Sequence, residues 1–213
     1  MSKLFVIIYA LFFVSFGLLC YLAYRLPYLP GDIAFGSWLQ RTDLLFFDPI
    51  MRAASYTSDI IPAIIIVSIV VIGVWVSGRR LEAVFVAALP ITAVLLSSLK
   101  LVIGRPRPTV ELVQVVGNNS GFSFPSGHFA YAIVFYGFLF YLIPKTVQQP
   151  TAKRAIQSVL ILLIILTGLS RIYLGAHWPN DVFGSFLLGG LLLAPAIVLY
   201  KNYAKVKTGD KDA

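Results

Sequence analysis

The sequence is short of charge, of cysteine and of histidine. Only 12% of its 213 residues are charged, against 59% that are hydrophobic, and the mean hydropathy is +0.87. Soluble domains carry about one-quarter charged residues, so a soluble, nucleic-acid-binding or disordered chain is excluded as a first reading. The single cysteine, Cys20, leaves no intramolecular disulfide framework and no cysteine-based metal cluster. Internal repeats and low-complexity runs are absent as well. What remains in abundance is apolar sequence in long blocks. At this length it predicts one domain, over residues 1–204, built inside a bilayer.

Charges mark the ends of these blocks. They predict six transmembrane helices, at residues 4–24, 60–78, 83–101, 128–144, 155–172 and 181–200, each near the roughly 20 apolar residues a spanning helix needs. The shorter blocks fit if their charged ends snorkel or enter a polar pocket. The first block is long for a signal peptide and lacks a small-x-small cleavage site, so it is expected to be retained. The fold class expected is all-α: a six-transmembrane-helix bundle with short interfacial helices between the first and second spans. Those helices rest on Trp38, Leu39, Leu45, Phe46 and Ile50, which alternate with Gln40, Arg41, Asp43, Asp48 and Arg52 at roughly helical spacing until Pro49 breaks the run. A loop packed over the bundle is the alternative. Residues 102–125 are rich in Gly, Pro and polar side chains and read as a loop, and the polar tail, 205–213, reads as disordered. On the sixth span, Ser185 and Gly189 suggest an ordinary small-residue helix contact.

The net charge of +8 is a topology signal. With a cytoplasmic N-terminus, ten basic and three acidic residues fall inside, and seven basic and six acidic residues fall outside. This obeys the positive-inside rule. It predicts cytoplasmic termini in a plasma membrane and removes the case for a nucleic-acid partner.

Three polar clusters converge on the outer face of this topology. Lys100, Arg105 and Arg107 end the third span. Pro125, Ser126, Gly127 and His128 open the fourth. Ser170 and Arg171 end the fifth, with His177 and Asp181 at the start of the sixth. Any one of these cations reads equally well as a headgroup anchor. Together with both of the chain's histidines, they predict an anion site. Arginine forks, a lysine, and helix-start N–H groups approached over Gly127 suit phosphate oxygens, with Ser126 capping the helix or donating to an oxygen. His177 and Asp181, four apart, read either as an oriented nucleophile or as a plain polar contact beside an acid at a helix start. His128 is free to act as a general acid.

The order and spacing of these residues resemble the type 2 phosphatidic acid phosphatase (PAP2) superfamily. The family pattern is Lys, six residues, Arg-Pro; then Pro-Ser-Gly-His; then Ser-Arg, five residues, His, three residues, Asp. Lys100 with Arg107-Pro108, Pro125 to His128, and Ser170-Arg171 with His177 and Asp181 match it throughout. The resemblance implies a membrane-embedded lipid phosphatase that needs no metal or other cofactor. In it Lys100, Arg107, Arg171, Ser126 and Gly127 hold phosphate. His177 attacks phosphorus, Asp181 orients it, and His128 protonates the leaving oxygen. The partner implied is a membrane lipid phosphate: phosphatidylglycerophosphate, undecaprenyl diphosphate or phosphatidic acid. A phosphotransferase shares every one of these residues, and a non-enzymatic lipid- or anion-binding protein is the remote alternative. Arg105 lies outside the pattern and reads as a contact to substrate or to a lipid headgroup. The sequence sets no oligomeric state.

Overall fold

A computed structural model describes residues 3–42, 45–117 and 119–208. Its helices are α1 (Lys3–Arg25), α2 (Asp32–Gln40), α3 (Phe47–Tyr56), α4 (Ile60–Val76), α5 (Arg80–Ala88), α6 (Thr92–Ile103), α7 (Gly127–Thr146), α8 (Pro150–Tyr173) and α9 (Pro179–Thr208), with no strand among the described residues. Of these, α1, α7, α8 and α9 are long and apolar enough to cross a membrane, as is the α5–α6 pair taken as one span. The α5–α6 span is interrupted at Leu89–Ile91 by a 3₁₀ turn carrying Pro90, which supplies no N–H to the helical ladder. The second expected span, α4, has 17 residues and reaches spanning length only together with α3, from which it is bent by 67°.

The bundle is organised around α7, which packs against α8 and α9, while α1 packs on α9, α4 on α5 and α3 across α8. The core of α7 is aromatic: Phe135 and Phe138 are fully buried and Tyr136 nearly so. The outer helices invert the soluble pattern. No residue of α4 is buried, and Ile60, Ile64, Ile69 and Val76 face outwards. Lipid solvates such side chains, so spanning helices need bury only the faces that touch one another. Gly189 illustrates the contact expected of small residues, because a Cβ there would meet Ile133 of α7 at 2.7 Å.

The segment between α1 and α4 holds the two short helices expected of it. Pro49 does not break α3. It sits in the first turn, where its missing N–H costs no hydrogen bond. Asp43, part of the same expected pattern, lies outside the described residues. At the other end α9 continues to Thr208, so residues 205–208 of the expected tail are helical. The rest of that tail, 209–213, lies outside the described residues. Gly175 closes the turn between α8 and α9 at φ +63°, and a Cβ there would strike the backbone carbonyl of Gln114. That close approach lets the 104–126 loop lie against this turn, with Val116 N–H donating to Leu174 O at 2.9 Å.

Candidate functional site

Below the site lies a buried ion cluster. Arg105 is fully buried and donates through Nη1 to Asp181 Oδ1 at 2.5 Å and through Nη2 to Asp32 Oδ2 at 2.6 Å. Further donors to the two carboxylates come from the backbone and one side-chain amide. Asp32 accepts from Leu29 N–H and from the N–H and side-chain amide of Asn180, and Asp181 Oδ2 accepts from Trp178 N–H at 2.9 Å. Asp181 thereby stands in the first turn of α9, fixed from two sides. The reading of Arg105 as a substrate or headgroup contact is overturned, since it reaches neither solvent nor lipid.

His177 sits above this cluster, in the turn between α8 and α9. Its N–H donates to Arg171 O at 3.0 Å. Its Nδ1 lies 3.5 Å from Asp181 Oδ2 without a formed hydrogen bond, and its Nε2 lies 3.3 Å from Arg107 Nη1. Burial, and then the positive charges of Arg171, Lys100 and Arg107, push the ring's pKa well below its ordinary value. His177 is therefore a neutral imidazole at neutral pH, with Asp181 on one nitrogen's side and a cation beside the other.

Three cations come together here from three places. Lys100, at the end of α6, donates to Phe122 O at 3.0 Å. Arg107, in the following loop, is held by the carbonyls of Ser120, Gly121 and Ala176. Arg171, in the last turn of α8, donates to Ser55 Oγ of α3, while its Nε has no partner. Ser126 holds the N-cap position of α7, but its hydroxyl does not cap the helix, contrary to one of the two expectations for it. The Oγ is buried and unpartnered, and the backbone N–H donates to Ser185 Oγ at 2.6 Å. Ser185 passes that bond on to Asp181 O at 2.7 Å, so it joins α7 to α9 as well as packing between them. His128, second residue of α7, has Nε2 2.7 Å from Asp59 Oδ1, just ahead of α4.

Two cavities meet at His128. One, of about 470 Å³, is polar and is lined by Asp59, Arg107, Asn119, Ser120, His128 and Arg171. The other, also of about 470 Å³, is apolar. It runs between α4, α6 and α7 past Ile64, Val67, Ala93 and Leu96, and ends at Lys100 and His128. Charged head and apolar tail of one amphiphile fit this pair of spaces. Among the described residues no group of three or more His, Cys, Asp or Glu side chains is placed to hold a metal ion.

A family model described as the PAP2 superfamily matches residues 81–205. The chain belongs to the PAP2 superfamily. Phosphatidylglycerophosphatase B of Bacillus subtilis (strain 168) is 38% identical over 76 residues, a stretch covering 35% of this chain and 37% of that protein. The crystal structure of a transmembrane PAP2-type phosphatidylglycerolphosphate phosphatase from Bacillus subtilis superposes with a TM-score of 0.73 at 23% identity. It covers 90% of this chain and 95% of the other. The crystal structure of Aquifex aeolicus LpxE does so with a TM-score of 0.62 at 22% identity, covering 81% and 96%. Both share this chain's fold.

Of the eight site residues expected from the PAP2 pattern, Lys100, Arg107, Gly127, His128 and Arg171 line one cavity or the other, His177 lies against Arg107 and Asp181, and Ser126 is joined to Asp181 through Ser185. The residues that sequence reasoning missed are those that hold them: Asp32, Ser55 and Asp59, all ahead of the matched stretch, and Ser185. A faint signal existed for the acids. Asp32 and Asp59 fall on the outer face in the six-span topology, level with the PAP2 motifs.

Removing one member of a buried ion cluster leaves an uncompensated charge, at a cost of about 3–5 kcal/mol. Arg105→Met is expected to lower stability by that amount in a denaturation series on detergent-solubilised protein. An unchanged transition midpoint would show that Arg105 does not hold the site together.

Proposed function

We propose that this protein is an integral-membrane lipid phosphatase that hydrolyses a lipid phosphomonoester or diphosphate through a phosphohistidine, without a metal. The observation carrying this is the junction at His128 of a polar cavity walled by cations with an apolar groove between spanning helices. A headgroup phosphate placed among Lys100, Arg107 and Arg171 leaves its acyl or prenyl tail in the groove. Ser126 Oγ and the first-turn N–H groups of α7 add donors for its oxygens. The three cations offset the charge that magnesium offsets in other phosphoryl-transfer sites.

The reaction follows in two displacements. His177 Nε2 attacks phosphorus, the bond to the lipid oxygen breaks, and that oxygen takes a proton from His128. Water then attacks the phosphohistidine and gives a proton to His128, and the P–N bond breaks to release inorganic phosphate. Asp181 holds the developing imidazolium. Phosphatidylglycerophosphate is the first substrate to test, because the Bacillus subtilis relatives carry that name. Undecaprenyl diphosphate and phosphatidic acid present the same phosphate and tail. Transfer to a second lipid would use the same residues and differ only in the acceptor. Residues 1–204 make up one domain in this reading. The excess of Lys and Arg on the face opposite the site supports cytoplasmic termini and an extracytoplasmic site.

Purified protein in detergent with EDTA is expected to release phosphate from at least one of these lipids, and His177→Ala to lose more than about a thousandfold in kcat. Release by the variant at the wild-type rate would sink the nucleophile assignment.

A depressed pKa keeps His177 neutral, and so nucleophilic, as pH falls through the ordinary histidine range. After correction for substrate ionisation, kcat/KM is expected to hold down through pH 6.5 and to fall only well below it. A limb at or above the ordinary histidine value would contradict the buried, cation-flanked nucleophile.

A further inference from the structure

Asp59 occupies the position before α4 where an acid ordinarily accepts from the helix's first-turn N–H groups. It does not do so: its side chain makes no capping hydrogen bond. Its carboxylate reaches across to α7 and meets Nε2 of His128 at 2.7 Å. The pair forms one wall of the polar cavity. Around that ring stand Lys100 from α6, Arg171 from α8, Arg107 from the loop after α6 and His177 from the turn before α9, with Tyr131 one turn along α7. Among the described residues, these neighbours other than Asp59 and Tyr131 are cationic or, for His177, become so on protonation, and each opposes a proton on His128. Asp59 is the carboxylate that hydrogen-bonds the ring.

We propose that Asp59 is a positioning residue for His128, holding the proton on Nε2 and leaving Nδ1 as the nitrogen that gives and takes the catalytic proton. The proposal rests on the phosphatase reading above. In the first displacement the Nδ1–H bond of the imidazolium breaks, a new O–H bond forms on the departing lipid oxygen, and the neutral ring stays as the Nε2–H tautomer against Asp59. In the second, Nδ1 takes a proton from the attacking water, which restores the imidazolium. The arrangement mirrors His177, where a carboxylate faces Nδ1 and Nε2, beside Arg107, is the nitrogen assigned to attack phosphorus. Two histidines thus receive opposite duties from which nitrogen their acid faces.

The test is Asp59→Asn, which keeps the shape and removes the charge. The chain has just two histidines, so protein labelled with nitrogen-15 histidine reports both rings, and His177→Ala assigns them. Neutral His128 in the wild type is expected to carry its proton on Nε2. Because the Asp59 side chain is 49% exposed, water screens its charge, and the variant's His128 midpoint is expected to move down by about one pH unit. In the assay the basic limb of kcat should move down with it, with KM altered by less than about twofold and the thermal midpoint unchanged. A neutral His128 protonated on Nδ1, an unmoved midpoint, or a uniform loss of activity with the limb in place would overturn the proposal. Wild-type protein inactive on every lipid phosphate would overturn the reading it rests on. Active wild type with an unmoved limb would overturn this proposal alone.

Discussion

The site depends on a single cation that never touches the cavity it supports. Arg105 is buried between Asp32 and Asp181, and it ties the segment after α1, the loop after α6 and the start of α9 together. In a low-dielectric interior, a charge is costly unless it is paired and hydrogen-bonded. Here the backbone of Leu29, Trp178 and Asn180 adds to the hydrogen bonds that Arg105 gives. Asp181 can then stand beside His177 as a fixed carboxylate on a helix that carries it into the membrane.

Above that clamp the physics reverses sign. Lys100, Arg107 and Arg171 lie close together, each tethered to a carbonyl or hydroxyl that fixes its position, with Asp59 and Asp181 nearby but in no ion pair with them among the described residues. Such a cluster favours a polyvalent anion over a single carboxylate. Burial, reinforced by the same cations, keeps His177 neutral, which suits an attacking nitrogen. The apolar groove that ends at Lys100 and His128 supplies the other half of an amphiphile's requirements. The proposed site would therefore combine phosphate chemistry with a place for a lipid's tail.

The spans were legible because burial in lipid leaves long apolar blocks with charges at their ends. The site was legible because its residues sit at those ends, at spacings that helix starts and turns impose: His177 and Asp181 flank the Pro179 that opens α9, and Gly127 begins α7 where the block of aromatics begins. What stayed hidden was pairing. Nothing in the local sequence says that Arg105 meets Asp32, that Arg171 meets Ser55 or that Asp59 meets His128, because those partners lie far apart in the chain and only packing joins them. Arg105 read as a contact to substrate or a headgroup because it stands in a loop beside Arg107, and its partners lie on α2 and α9. Pro49 looked like a break because proline's place within a helix matters more than its presence.

The most direct test is to catch the intermediate. A lipid phosphate labelled with phosphorus-32 is mixed with the protein and quenched in alkali within one turnover, where an N-phosphohistidine survives and acyl phosphates do not. The label is expected on the peptide containing His177, at Nε2, and is expected to be absent from His177→Ala. Label on another residue, or turnover with inversion at phosphorus and no labelled protein, would contradict a phosphohistidine and with it the pairing of Asp181 with His177 as oriented nucleophile.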